Sequence, residues 1–181
     1  MIVIAIDPSL TQTAVAIGRS PADVRVSLHC SKSLGQDAGQ RVRRYEALVA
    51  NIMDGIRDSL SALDRTSGED IRIFIEGYAF GAKCGREVLG EFGGLIRWHL
   101  VDLDRDLVEV QPMSLKKFTT GKGAGQKDQM MMHALRNWGY QSANSDACDA
   151  YSLFRLGLVV LAVEQPQNAI QREVAKKFTP F

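Results

Sequence analysis

The chain has 181 residues, of which 45% are hydrophobic and 24% charged, and its formal net charge at neutral pH is +1. These values exclude a disordered, fibrous or disulfide-stapled chain and allow one compact domain with a full core. The first apolar run, residues 1–6, is interrupted by Asp7 and is too short for a signal peptide or a membrane span. We therefore expect a cytoplasmic protein, in a bacterial or phage-infected cell, with no membrane partner.

The hydrophobic pattern at the start of the chain predicts an antiparallel meander of strands. Residues 2–6 predict a buried strand, and residues 13–18 and 24–30 predict two more strands joined by turn residues. Apolar residues then recur with a 3.6-residue period over residues 39–64, which predicts a long helix.

The middle of the chain alternates strands with a helix. Residues 71–76 and 107–111 predict strands, and residues 86–100 between them predict a helix. Three glycines in that helix, Gly90, Gly93 and Gly94, are costly unless another backbone approaches closely. We therefore expect this helix to form the interface of a homodimer.

Three further helices are predicted over residues 113–119, 127–138 and 145–163. Together with the five strands they predict an α/β fold, in which a mixed five-stranded sheet has helices on both faces. We place one domain over residues 1–163 and a C-terminal tail over residues 164–181.

Four acidic residues occupy positions at which this fold would bring them together. Asp7 and Glu76 each follow an apolar strand, and Asp146 and Asp149 lie three residues apart on one face of a helix. Converging carboxylates repel one another unless a cation holds them, and all-oxygen ligands favour Mg²⁺ or Mn²⁺. Asp7 taken alone is more often explained as a turn residue or helix cap. Asp146 taken alone is equally explained as a charge that favours a helix N-terminus.

Basic residues are concentrated in three stretches of the sequence. These are Lys83 and Arg86 in the first, Lys116, Lys117, Lys122 and Lys127 in the second, and Lys176 and Lys177 in the tail. A local basic stripe is what a nucleic-acid phosphate backbone binds, although any one of these lysines could simply be a solvated surface charge.

The order and spacing of these motifs resemble those of the RuvC-type Holliday-junction resolvases, which belong to the RNase H and retroviral-integrase superfamily. The resemblance covers residues 1–162. It rests on I-A-I-D-P-S-L-T-Q-T-A-V-A, on I-F-I-E-G, and on the stretch from Q-P-M-S-L-K-K-F to N-S-D-A-C-D-A-Y-S-L. The divergence of the remaining sequence is typical of a phage-encoded member.

The resemblance implies a metal-dependent endonuclease with an RNase H-like fold. In that family four acids hold two Mg²⁺ ions, with Mn²⁺ as a substitute, and these acids fall on Asp7, Glu76, Asp146 and Asp149. The family's lysines near the scissile phosphate fall on Lys116 and Lys127. Such enzymes act as homodimers that cut four-way (Holliday) junctions by paired symmetric nicks.

One departure concerns the aromatic residue that the family often has three positions after the middle glutamate. This position is Ala79 here, and its neighbours Tyr78 and Phe80 could take over the contact with DNA bases. The predicted DNA-binding residues are therefore Tyr78, Phe80, Lys83, Arg86, Lys117 and Lys122.

Three alternative functions remain open from the sequence. The first is a nuclease of the same fold that acts on forks, flaps or other branched DNA in replication or packaging. The second is a binding module with an inactive site, which the presence of all four acids disfavours. The third is an ATPase related to sugar kinases or actin, which the short chain and the absence of a second phosphate loop disfavour.

Overall fold

A computed structural model describes residues 1–31, 37–66, 68–77, 86–104, 107–123 and 126–178, with the backbone alone for residues 86 and 87. Its strands are β1 (Ile2–Asp7), β2 (Gln12–Gly18), β3 (Arg25–Cys30), β4 (Ile71–Glu76) and β5 (Val108–Val110). Its helices are α1 (Ala38–Ala62), α2 (Arg86–Leu100), α3 (Pro112–Thr120), α4 (Lys127–Trp138), α5 (Ser145–Val160) and α6 (Ala169–Ala175).

The five strands form one mixed sheet in the order β3-β2-β1-β4-β5. The pairs β1–β2 and β2–β3 are antiparallel, whereas β1–β4 and β4–β5 are parallel. The predicted α/β fold with a mixed five-stranded sheet is confirmed.

Both faces of the sheet are covered, because side chains alternate between the faces along each strand. On β1, Ile4 and Ile6 join a core cluster with α1 and α2. Val3 and Ala5, from the same strand, join a second cluster formed with α3, α4, α5 and α6. The hydrophobic run at the start of the chain is continuous because the strand is buried on both sides.

Helix α5 lies unusually close to the sheet. A Cβ atom built on Gly157 would lie 2.8 Å from a ring carbon of Phe74 and 2.9 Å from a methyl carbon of Val3. Only glycine allows this approach, because any larger side chain would overlap the side chains of β1 and β4. The position of α5 over the sheet is therefore set by a direct packing contact.

Helix α6 forms within the segment predicted as a C-terminal tail. Val174 and Ala175 are buried in the second core cluster, and Glu173 accepts a hydrogen bond from Lys117 of α3 at 2.9 Å. Residues of this segment thus contribute to the core. Among the described helices, none combines the length and the hydropathy that a membrane-spanning segment requires.

Candidate active site

Two acidic residues end neighbouring parallel strands. Asp7 is the last residue of β1 and Glu76 the last residue of β4, and the residues just before them, Ile6 and Ile75, are register partners. The carboxyl ends of parallel strands open onto a common edge of the sheet, which is where α/β proteins bind ligands. The two carboxyl groups therefore lie side by side at that edge.

The N-terminal end of α5 brings the other two acids to the same place. The Asn144 side chain caps this helix by accepting a hydrogen bond from the backbone N–H of Ala147 at 3.0 Å. The cap itself is tied to the sheet, because its side-chain N–H donates to the Gln12 side chain at the start of β2. Asp146 in the first turn and Asp149 in the next turn then lie over the ends of β1 and β4.

The acids perturb one another strongly. Burial, followed by the negative charge of Glu76, raises the pKa of Asp7 well above its usual value. Side-chain hydrogen bonding with Glu76 adds to this rise in the pKa of Asp7. Burial also raises the pKa of Glu76 to about 7, with a further contribution from Asp149. Perturbed carboxyl groups in a cleft are typical of functional sites.

Asp149 combines a raised pKa with a buried carboxyl oxygen. Burial, followed by the negative charge of Asp7, raises its pKa to about 7. Its Oδ1 atom is buried and has no hydrogen-bond partner among the residues that the structure describes. Buried carboxylate oxygens without a partner are rare in folded proteins and indicate a strained or ligand-binding position.

Two lysines supply positive charge to the cluster. Lys127 Nζ, at the start of α4, donates to Asp146 Oδ1 at 2.9 Å, and this hydrogen bond raises the pKa of the lysine. The charge of Lys116, on α3, opposes the upward pKa shifts of Glu76 and Asp149, so this lysine lies within electrostatic range of both. The structure thus brings Lys116 and Lys127 to the acid cluster.

The residues present fit a divalent cation. The donor set consists of carboxylate oxygens, and one of them, Asp149 Oδ1, is buried without a hydrogen-bond partner among the described residues. In the same part of the chain, no group of three or more His, Cys, Asp or Glu side chains is already placed to hold a metal ion. In this structure the ammonium group of Lys127, which donates a hydrogen bond to Asp146, offsets part of the negative charge.

The predicted DNA-binding residues have different placements. Lys117 points to α6 and pairs with Glu173, whereas Lys122 is exposed just beyond α3. Tyr78, Phe80 and Lys83 lie outside the described residues, as does the side chain of Arg86, whose backbone begins α2.

The turn after Asp7 is held by residues that the sequence did not identify. Thr13 Oγ1 donates to the Ser9 carbonyl at 2.9 Å and accepts from the Ser9 N–H at 3.2 Å. Arg44 of α1 donates to the Leu10 carbonyl at 2.8 Å. These bonds restrain the segment that follows the central acid of the cluster.

Arg97 is a second residue of the site that sequence analysis missed. A cavity of about 130 Å³ opens beside Asp7 and Glu76. Its other lining residues are Pro8, Gly77, Leu89, Gly93, Arg97 and Pro112. No motif signals Arg97, because it is one charged residue of an amphipathic helix. Only the packing of α2 against the end of β4 brings its guanidinium to the site.

Comparison with known proteins connects this arrangement to solved structures. No protein-family model and no curated protein matches the chain. The structure resembles "Thermus thermophilus RuvC structure" with a TM-score of 0.58 and 14% identity, over 90% of this chain and 97% of that one. It also resembles "T. thermophilus RuvC in complex with Holliday junction substrate" with a TM-score of 0.56 and 18% identity, over 85% and 90% of the two chains. The chain therefore has a RuvC-like fold.

Proposed function

We propose that this protein is a divalent-metal-dependent endonuclease that cleaves branched DNA, with four-way junctions as its substrate. The observation that carries the proposal is the clustering of Asp7, Glu76, Asp146 and Asp149 at one sheet edge. There Asp149 Oδ1 is buried and has no partner within the described part of the chain. Two lysines beside these acids match the charge of a phosphate group. The fold resembles that of a protein whose structure was solved in complex with a Holliday junction substrate.

The four acids are the proposed ligands of two Mg²⁺ ions, and Mn²⁺ would bind the same oxygens. When bound, such ions activate water and stabilise the negative charge that develops on a phosphate during hydrolysis. The protein's own contribution is to hold the ligands at the ends of β1, β4 and the first turns of α5, all of which are anchored in the core.

The two lysines have different proposed roles. Lys127 has an exposed side chain and reaches into the acid cluster from the start of α4, so it can follow a phosphate group that enters the site. Its ammonium group would stabilise the charge of the reacting phosphate. Lys116 projects from α3 and would orient the DNA backbone beside the cluster.

The exposed face of α2 is the proposed interface of a homodimer. No atom of the described residues lies within 4 Å of a Cβ atom built on Gly90 or Gly94, and Trp98, one turn further along, is 74% exposed. These residues follow one another at four-residue spacing and so share a helix face. Gly93 does not belong to that face, because it is buried and lines the site cavity. Of the three glycines predicted to form the interface, the proposal thus keeps Gly90 and Gly94.

Cleavage of synthetic DNA tests the proposal directly. A four-way junction, a fork, a flap and a linear duplex of the same arm sequence should be incubated with the protein in Mg²⁺, Mn²⁺ or EDTA. We expect paired symmetric nicks in the junction with either metal and none in EDTA. The Asp7→Asn variant should bind the junction in a gel-shift assay but cut it at least a thousandfold more slowly, on the order of the loss expected when a transition-state contact is removed.

Two outcomes would contradict the proposal. Full activity in EDTA would remove the role of the metal. Preferential cleavage of forks or flaps over junctions would keep the nuclease and replace its substrate.

A further inference from the structure

We propose that Arg97 is a positioning residue that holds Glu76 in place for metal binding. The inference rests on the proposed function, because Glu76 is one of the proposed ligands. It concerns a residue that acts through Glu76, and it assigns to α2 a role in the site besides that of an interface.

Arg97 joins three elements that meet behind Glu76. Its Nη1 donates to the Gly93 carbonyl of α2 at 3.0 Å, and its Nη2 donates to the Glu109 carboxylate of β5 at 2.9 Å. The same Nη2 approaches the Glu76 carbonyl at 3.4 Å. The guanidinium is a rigid planar group with fixed donor directions, so it constrains the backbone of Glu76 relative to both neighbours.

The residue that follows Glu76 completes this support. The Gly77 N–H donates to the Val110 carbonyl at 2.8 Å, which extends the β4–β5 pairing by one residue past the strand end. A Cβ atom on Gly77 would lie 2.8 Å from Glu109 Oε1 and 2.9 Å from Gln111 Nε2. Glycine at this position therefore lets the partner of Arg97 pack directly against the backbone next to Glu76.

This support matters because β5 is short. It has three residues at the edge of the sheet and pairs only with β4 among the described strands. The ion pair between Arg97 and Glu109 adds a connection from β5 to α2 at the level of the site, and the Arg97 side chain is only 16% exposed. Groups that orient metal ligands in this way typically change metal affinity by about 10- to 100-fold when they are lost.

The loss of a positive charge and the loss of a positioning contact predict opposite changes in metal affinity, so an experiment can distinguish them. Removing Arg97 takes a positive charge from the neighbourhood of the acids and leaves Glu109 negative. By electrostatics this change should tighten the binding of a divalent cation. A positioning role predicts weaker binding, because Glu76 is no longer held where the other ligands can use it.

The experiment is calorimetric titration of the full chain with Mn²⁺, which reports metal binding without activity. It should compare the wild type with Arg97→Met, Arg97→Lys and the control Arg41→Met. Arg41, on α1, forms an exposed ion pair with Glu91 of α2, the helix that carries Arg97. Arg41→Met therefore removes an arginine–glutamate ion pair that lies away from the site. Metal dependence of junction cleavage and thermal unfolding in EDTA should be measured on the same preparations.

We expect Arg97→Met to raise the Mn²⁺ dissociation constant by about tenfold or more and to raise the Mg²⁺ concentration for half-maximal cleavage in parallel. Arg97→Lys keeps the charge but cannot reach Glu109 and the Glu76 carbonyl together, so it should recover only part of the affinity. Arg41→Met should bind as the wild type does. Should Arg97→Met fail to fold, the lysine variant decides the question by the same measurement.

Unchanged or tighter binding by both Arg97 variants would overturn the inference and leave the proposed function intact. A wild type that binds neither Mn²⁺ nor Mg²⁺ would instead overturn the proposed function itself. An equal loss of affinity in Arg41→Met would show that any weakening of α2 has the same effect, and it would also overturn the specific role of Arg97.

Discussion

At the scale of single residues, the site is a group of carboxyl groups that are costly to ionise together. Asp149 illustrates the consequence for stability. Its pKa is about 7 in the folded protein, against an ordinary value near 3.8. Between these values the folded protein holds a proton that the unfolded chain has released. The contribution of this proton to the unfolding free energy is therefore fully present below about pH 4, and it is lost as the pH rises through about 7.

The Asp149→Asn variant should remove much of this pH dependence. In EDTA we expect the wild type to lose unfolding free energy between pH 5 and pH 8, and the variant to lose less. At pH 8 the variant should be more stable by on the order of 2 kcal/mol, because asparagine is never ionised. Urea unfolding at several pH values measures the difference. The exposed Asp54, replaced by asparagine, serves as the control, and equal pH slopes in wild type and Asp149→Asn would refute the assignment.

The two kinds of lysine in the site region should separate kinetically. Lys127 contacts the acid cluster, so Lys127→Met should slow cleavage of bound junction by about 100-fold and change affinity little. Lys122 is exposed beyond α3, so Lys122→Met should weaken binding and reduce its salt dependence by about one counterion. Single-turnover rates at saturating enzyme and binding at several salt concentrations distinguish the two. An unchanged saturated rate for Lys127→Met would show that this lysine serves binding alone.

At the scale of secondary structure, the position of α5 on the sheet decides whether Asp146 and Asp149 lie close to Asp7 and Glu76. Gly157 lies where the helix touches Phe74 and Val3, and Gly157→Ala would place its Cβ within 2.8 Å of the ring. Overpacking of this kind costs about 1–3 kcal/mol. We expect this loss in urea unfolding, together with slower cleavage, because the helix that carries Asp146 and Asp149 must shift.

A matched glycine provides the control for this prediction. Gly39 lies in the exposed first turn of α1, where an added Cβ meets, within the described ranges, only Asp37 Oδ1, at 3.4 Å. Gly39→Ala should be neutral or stabilising by up to about 1 kcal/mol, because alanine favours a helix. Equal effects of the two substitutions would show that α5 can adjust without cost.

Local sequence patterns were sufficient for most of these elements. The run before Asp7 and the period of α1 depend on neighbours in sequence, so both were predictable without the fold. The predicted helix over residues 145–163 ends earlier, at Val160, since Ala162 has a positive φ of 57°. Helix α6 was missed because seven residues are too few to establish a period. These differences lie at ends and short segments, where periodicity carries little information.

The site was less predictable than the fold, for reasons of geometry. The ends of β1 and β4 and the i, i+3 spacing on α5 made Asp7, Glu76, Asp146 and Asp149 candidates from sequence. Their binding of metal stays a prediction. Arg97 could not be found in the same way, because its contacts with Glu109 and Glu76 join elements that are distant in sequence. Nor could sequence show that Gly93 faces the cavity while Gly94 faces outward.

At the scale of the whole molecule, the exposed face of α2 predicts the assembly state. We expect a dimer at micromolar concentration in sedimentation velocity. Gly94→Leu should shift it to monomer without lowering the stability of the single chain, because no atom of the described residues lies within 4 Å of the added Cβ position. Ser61→Leu adds the same side chain to an exposed position of α1 and should leave the dimer intact. A monomeric wild type, free and bound to a junction, would contradict the interface.

The distribution of the four acids along the chain has a consequence for biosynthesis. Synthesis reaches Asp7, at the end of β1, well before Asp149, which follows all the described strands along the chain. Contacts between such distant segments form late in folding. A nascent or truncated chain that lacks α5 therefore has two of its acids and no complete cluster. The order of synthesis itself thus keeps the cluster incomplete until the last long helix has docked onto the sheet.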